Sequence, residues 1–476
     1  MSAIAKPLFT PSREEEVEDP KEHLMHDPMP RGEMNSMVLD SMHSTTWKYW
    51  TLTGILAFIV VTCLFAAWYY LIMQGLGVAG VNRPVYWGIF LVEVVFWIGI
   101  SHAGTFISAI LRVLKVESRR PFTRAAELMT TFGLVQAGIS VFLHMGRVWL
   151  SYWLVPYPNE RGLWPDFHSP LMWDFMAINT YLLCSTMYLF LPLIPDLAMA
   201  RDRSTGWRKT FYKILAIGFR GTEGEWKNLK TAMNIFAFAI IPVMFSVHTI
   251  VSWDFAMATR PGWSSSVFGP YFVIGALQSG MAAVAIVLFM IRSTMKNMKY
   301  FLRPEHFEAL GMLMFLVSLA WAYFYFNDYL VPWYGGDMWE KILNTFIQTG
   351  PLWYLWYLML FCNLAPLMIL WNKKWRRIPW LLAILGFVIN IGMWLERYII
   401  IPETLTINRM PFTWRIYVPH IEIVLTIGNF ALFFLLYLLA SRMIPLIPVW
   451  EVQEGQESHI LRKIGKAKIS TVSEID

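Results

Sequence analysis

The sequence predicts an all-α polytopic membrane protein of ten transmembrane helices. Three observations predict it: an unusually apolar composition, ten apolar runs long enough to span a bilayer, and an alternation of basic and base-poor loops. Of 476 residues, 56% are hydrophobic and only 15% charged, with 24 Trp, 33 Phe and 28 Met. A soluble domain carries about 25% charged residues, so lipid is the expected solvent. The net charge of +6 is gathered in short loops, which argues for membrane topology and against nucleic acid as a partner. Cys63, Cys184 and Cys362 all lie in apolar runs with no CxxC pair, so the chain builds neither a disulfide framework nor an iron-sulfur cluster. Any such cluster is expected in another subunit. The first 48 residues are polar and carry the acidic run Glu14, Glu15, Glu16, Glu18 and Asp19, unlike a cleavable signal, so the first span is expected to direct insertion.

Crossing a hydrocarbon core of about 30 Å takes about 20 residues. Runs of that length fall at 50–75, 86–112, 127–155, 171–195, 231–257, 268–292, 307–333, 346–371, 379–401 and 418–441. An even number places both termini on one side. The loops after spans two, four, six and eight hold 21 Lys and Arg, including Arg119-Arg120 and Lys373-Lys374-Trp375-Arg376-Arg377. The opposite loops hold six, namely Arg83, Arg161, Arg260, Lys341, Arg409 and Arg415. Basic loops stay cytoplasmic, which puts both termini in the cytoplasm and residues such as Tyr152, Trp153, Trp164, Trp173, Trp333 and Trp339 in an interfacial aromatic belt.

The chain also repeats. A shift of 176 residues lays Ile98-Gly99 and Gly104 over Ile274-Gly275 and Gly280, and Leu154-Val155-Pro156 over Leu330-Val331-Pro332. A slightly larger shift matches Pro170-Leu171 with Pro351-Leu352. Two parallel-repeat four-helix bundles, spans two to five and six to nine, flanked by spans one and ten, account for the matches; the alternative is chance similarity between apolar, Gly-containing helices.

An ionisable side chain in hydrocarbon costs about 3 kcal/mol on insertion scales, so each is a candidate site residue. Glu93, His144, Arg147, Asp174, His248, Asp254, Asp328, Glu396 and Arg397 all fall toward the outer end of their spans, and the inner halves read as almost free of charge. Five of them, Glu93, His144, Asp174, His248 and Asp254, belong to the first bundle. Their equivalents in the second are largely apolar, with Ala320 at the position of His144 and Leu355 at that of Asp174. Imidazole and partly buried carboxyl groups suit a molecule that loses two protons on oxidation, such as a quinol.

Each candidate has a plainer reading. Asp174 and Asp254 serve equally as helix caps or solvated carboxylates, and Glu93 and His144 as helix-tying groups. Glu396-Arg397 is either a packing ion pair or a cation set beside the pocket. Arg147, about one turn beyond His144, either holds a carboxylate or snorkels. His248 and Asp254, six residues apart, diverge by about 120° around one helix. His102 and its counterpart Gln278 lie at mid-membrane, as steps of a proton path or as helix ties.

The segments Gly99-Ile100-Ser101-His102-Ala103-Gly104, Leu143-His144-Met145-Gly146-Arg147 and Trp394-Leu395-Glu396-Arg397-Tyr398, within residues 50 to 440, resemble the NrfD/PsrC family of quinone-interacting membrane subunits. Within it the chain is most similar to the C subunit of bacterial alternative complex III, whose F subunit is a close paralogue. The resemblance implies menaquinol oxidation near the periplasmic face of the bacterial inner membrane, with His144, Asp174 and Asp254 facing the quinol and His248 and Glu93 beside them. It implies menaquinone as bound substrate, no metal or haem in this chain, a periplasmic iron-sulfur subunit, haem c subunits and a paralogous NrfD-like membrane subunit as partners, and coupling to proton translocation as an open question. Residues 1–48 and 442–476 are expected as extended cytoplasmic arms, docking or disordered, around a membrane domain at 49–441, with the quinol bundle at 85–258 and the second at 267–401. His23 and His26 match no standard metal site. Competing classes are a haem-b anchor, which needs two facing histidines among His102, His144, His248 and His420, and a secondary transporter, which favours a mid-plane site and broken spans.

Overall fold

The first span starts at Thr46, whose side chain caps the helix by accepting from the Tyr49 backbone N–H. Span five opens with a capping box between Thr222 and Glu225, and spans seven and nine open on Pro304 and Pro379, where a missing N–H costs nothing. The computed structural model describes residues 30–82, 84–154, 170–407 and 417–457 and two short strands, Leu461–Ile464 and Ala467–Ser470. Among these residues ten helices are long and apolar enough to cross a membrane: Trp47–Gln74, Gly88–Val113, Glu117–His144, Met172–Arg203, Glu223–Ala256, Phe268–Thr294, Pro304–Gly335, Trp353–Leu370, Pro379–Thr406 and Ile421–Met443. They are spans one to ten. One end of the bundle carries the 21 Lys and Arg and is called the basic end; the other is the far end.

Span two packs against spans three and five, and span four against three and five; span six packs against seven and nine, and span eight against seven and nine. The groups meet where span two lies on span six, and these two are the most enclosed helices, 89% and 83% buried over their apolar windows against 22% for span one. Close approach explains the matched glycines. A Cβ on Gly104 would collide with the Ala126 carbonyl and Thr130 of span three, and one on Gly280 would fall 2.5 Å from the Ala103 Cβ of span two. Span ten covers spans one and three from outside the second group.

Four expectations need correction. Span three ends at His144 rather than 155, the chain turns at Gly146 with φ 65°, and Val148–Leu154 is a 3-10 segment; its basic-end start lies earlier because its charges are neutralised there. Arg147 therefore stands past the helix, exposed, and not on the face of His144. Span eight is shorter than its apolar run, because Gly350-Pro351 separates it from a second helix, Met338–Thr349. A further helix, Gly206–Leu215, lies between spans four and five.

The basic end is not free of buried charge. Arg124 meets Asp196 at 3.1 Å and Glu127 at 3.6 Å, while Glu451 meets Arg119 at 3.0 Å and Arg112 at 3.6 Å. Glu451 belongs to a helix, Val449–Glu457, so the C-terminal segment is docked rather than extended up to that point. The helix Arg31–His43 is docked too: Met34 and Val38 are buried, and Arg442 donates to the Ser41 carbonyl at 2.9 Å while stacking on Tyr49. In the terminal hairpin Arg462 pairs with Ile469 and Lys463 with Lys468. The acidic run, His23, His26, Arg83, Val155, Pro156, Arg161, Trp164, Arg409, Arg415 and Lys466 lie outside the described residues.

Candidate functional site

Span four begins at the far end and span five finishes there, so Asp174, in the first turns of one, comes level with Asp254, in the last turn of the other. Their carboxyl groups hydrogen-bond to each other. One oxygen of each, Oδ1, has no other partner. Two carboxyls in such contact hold a proton between them, since two carboxylates have only acceptors to offer. The neighbouring indoles of Trp173 and Trp253 meet edge to face at 6.1 Å, walling the pair. Asp174 stands where a helix N-terminus favours negative charge and Asp254 where a C-terminus opposes it. The pair is thus intrinsically unequal.

His248 lies deeper on span five and is fully buried. Its ring packs on His102 of span two at 4.6 Å and on Phe272 of span six at 5.9 Å, and neither ring nitrogen makes a hydrogen bond of good geometry. His102 is the opposite case: Nδ1 lies 2.6 Å from the Ile98 carbonyl and Nε2 2.9 Å from the Met244 carbonyl, so the ring ties span two to span five. The free imidazole is His248.

Glu93 is buried but apart from the aspartates. It accepts from Trp97 Nε1 at 2.8 Å and from Trp394 Nε1 of span nine at 2.9 Å. His144 closes span three with Nδ1 3.2 Å from the Ser140 carbonyl. Below it runs a ladder absent from the sequence reading: Asn429 of span ten donates to Ser140 at 2.9 Å, and Gln136 donates to the Asn429 carbonyl at 3.0 Å. No described hydrogen bond joins Glu93 or His144 to Asp174, Asp254 or Arg147.

Glu396 and Arg397 form a buried ion pair that also receives the Tyr271 hydroxyl and, at 2.8 Å, Trp321 Nε1. The guanidinium of Arg397 covers the Phe272 ring at 5.5 Å, on which His248 also packs. Phe272 therefore links the two groups of spans. Beside Glu396 is a far-end cavity of about 50 Å³, walled by Tyr271, Tyr325, Asp328, Tyr329 and Glu340. That volume exceeds the 10–15 Å³ a single water needs. Trp356 Nε1 donates to both Tyr325 and Tyr329, at 2.9 and 3.0 Å. The second group is accordingly not the apolar copy expected from Ala320 and Leu355. Tyr325 and Tyr329, one turn apart beside Asp328, are the signal that would have marked it. Among the described residues, no cluster of three or more metal-ligating side chains occurs.

Comparison with known proteins follows the same outline. A family model described as "Polysulphide reductase, NrfD" matches residues 77–408. The chain is 27% identical over 235 residues to a putative dimethyl sulfoxide reductase membrane protein of Halobacterium salinarum, a match covering 49% of this chain and only 50% of that one. It is 21% identical over 426 residues to an Hdr-like menaquinol oxidoreductase integral membrane subunit of Archaeoglobus fulgidus, covering 86% of this chain and 96% of the other. To the menaquinone reductase integral membrane subunit of Nitratidesulfovibrio vulgaris it is 23% identical over 376 residues, 75% and 82% of the two chains. With the family match extending from before span two to the end of span nine, the chain belongs to the NrfD family of multi-pass membrane proteins.

Proposed function

We propose that this chain is the quinol-handling membrane subunit of an oxidoreductase complex, oxidising menaquinol at the far end of spans two to five. The observation that carries the reading is the Asp174–Asp254 pair. Oxidation of a quinol releases two electrons and two protons. A carboxyl pair that already shares one proton accepts one more, and a neutral histidine, His248 or His144, accepts the second. Relatives named as menaquinol oxidoreductase and menaquinone reductase subunits support a quinone as substrate. The ring of His248, without a hydrogen bond of good geometry, supports a role as acceptor. Glu93, Arg147, Glu396 and Arg397 are assigned to shaping the site and its potential.

The bias of 21 Lys and Arg toward one end supports a far end that faces the periplasm, in a bacterial cytoplasmic membrane with both termini inside. In this reading the electrons pass to a periplasmic iron-sulfur subunit and on to haem c subunits, beside a paralogous NrfD-like chain, as in the C subunit of alternative complex III. The 176-residue repeat is read as duplication of one four-helix unit, the first copy keeping the quinol site. The test replaces Asp174 by Asn and, separately, Asp254 by Asn in the assembled complex. Quinol-dependent reduction of the acceptor is expected to fall by about 10²-fold or more with subunit assembly unchanged. Full activity in both variants would remove the pair from the site.

A further inference from the structure

The helix Gly206–Leu215 has three faces, and only one is used by the protein. At about 100° per residue, Tyr212 and Ala216 fall on one side. Both are buried, packed with Leu193 and Leu197 of span four and Leu39 of the N-terminal helix. Trp207 and Ile214, seven residues apart, share a second side and are 64% and 71% exposed; Ile217, just past the helix, is 69% exposed. Lys209 and Lys213, four apart, form a third side open to solvent, and Arg208 lies over the Trp207 ring at 5.6 Å. Arg203 and Arg220, both exposed, flank the helix.

Three exposed apolar side chains beside a row of cations do not suit water alone. A helix of this design lies in the interface plane of a bilayer, its apolar side among acyl chains and its cations at headgroup level. The level is marked independently. Trp47 and Trp50, at the basic-end start of span one, are 73% and 63% exposed, as interfacial tryptophans are. The helix Gly206–Leu215 starts three residues after span four reaches the same end. The apolar side supplies insertion, and the cations supply charge complementarity to one kind of lipid.

We infer that Gly206–Leu215 is a docking surface for acidic phospholipid headgroups, with Trp207 and Ile214 inserted and Arg208, Lys209 and Lys213 holding the phosphates. The surface selects anionic over zwitterionic lipid in the leaflet that meets the basic end.

The test is electron spin resonance on the full-length chain in nanodiscs of phosphatidylcholine, probed with spin-labelled phosphatidylglycerol and spin-labelled phosphatidylcholine. The unmodified chain is expected to immobilise the anionic probe preferentially. R208Q/K209Q/K213Q is expected to cut that preference at least about fivefold, the loss expected for a single surface cation. K296Q/K299Q/K374Q, which removes the same charge from other loops at the same end, is expected to leave it within about twofold. Should the triple variant not fold, K209Q/K213Q alters only exposed side chains and is expected to give an intermediate loss. Unchanged preference in a folded variant overturns the assignment, whether because a protein partner covers the helix or because lipid does not choose it. An equal loss in the control overturns it as well, by reducing the effect to general charge.

Discussion

The carboxyl of Asp174 on span four shares its hydrogen bond with the carboxyl of Asp254 on span five, 80 positions along the chain and each with an oxygen otherwise unpartnered. Groups bound this way act as one unit, and their substitutions do not add. Asp174→Asn and Asp254→Asn are each expected to slow quinol oxidation nearly as much as the double variant, with the double within about threefold of the worse single. A double-mutant cycle on purified complex measures this. Independent, multiplying losses would mean that the two aspartates serve separate steps.

Glu93 separates support from chemistry. Its two oxygens hold the indole N–H groups of Trp97 and Trp394, so Glu93→Ala strands two buried donors, at about 1–3 kcal/mol each. Glu93→Gln keeps an acceptor and is expected to unfold within a few degrees of the parent protein in a detergent melt. If Glu93 takes part in proton transfer, the Gln variant nonetheless loses turnover. Full turnover in a stable Gln variant would leave Glu93 as a tie between spans two and nine.

The ten spans were legible because hydropathy sums along the chain: a run of about 20 apolar residues needs no partner to be recognised. What escaped is what depends on partners. Arg124 and Glu127 score as loop-like one at a time, yet they are buried against each other and Asp196, so span three begins earlier than an apolar run can show. The pairing of Asp174 with Asp254 is a contact between helices, and nothing in either segment announces the other. Arg147 was misplaced by a helical projection that ran past Gly146, where the backbone has already turned. In the far-end cavity, Glu340 comes from an amphipathic helix outside the spans, so a census of intramembrane charges passed over it.

The contact of spans two and six makes a steric prediction. A Cβ on Gly280 would sit 2.5 Å from the Ala103 Cβ and 2.8 Å from the Ile100 carbonyl, both on the most enclosed helix of the fold. Gly280→Ala forces the helices apart and is expected to cost about 1–3 kcal/mol, with Gly280→Val worse. Thermal unfolding of the purified chain reports the loss. Gly138, which faces open space, should tolerate alanine without it.

The C-terminal helix is held by one carboxylate among arginines. Glu451 is 1% exposed, 3.0 Å from Arg119 and 3.6 Å from Arg112, with Arg120 donating to its backbone carbonyl at 2.9 Å. Burial pushes its carboxyl upward, but Arg119, Arg112, Arg120 and Arg124 together outweigh that and hold it below the usual range. A carboxyl lower in the folded than in the unfolded chain contributes stability that is complete above the unfolded value of about 4.3. That stability is lost as pH falls through the lowered folded value. Glu451→Gln is expected to cost about 3–5 kcal/mol at neutral pH, because it leaves buried arginines uncompensated. Limited proteolysis in detergent should then cut within Val449–Glu457 in the variant at pH 7 and spare the parent, which becomes susceptible only below about pH 4. Equal resistance of both at pH 7 would show that Trp450, bonded through its indole to the Pro192 carbonyl at 2.8 Å, anchors the helix without the ion pair.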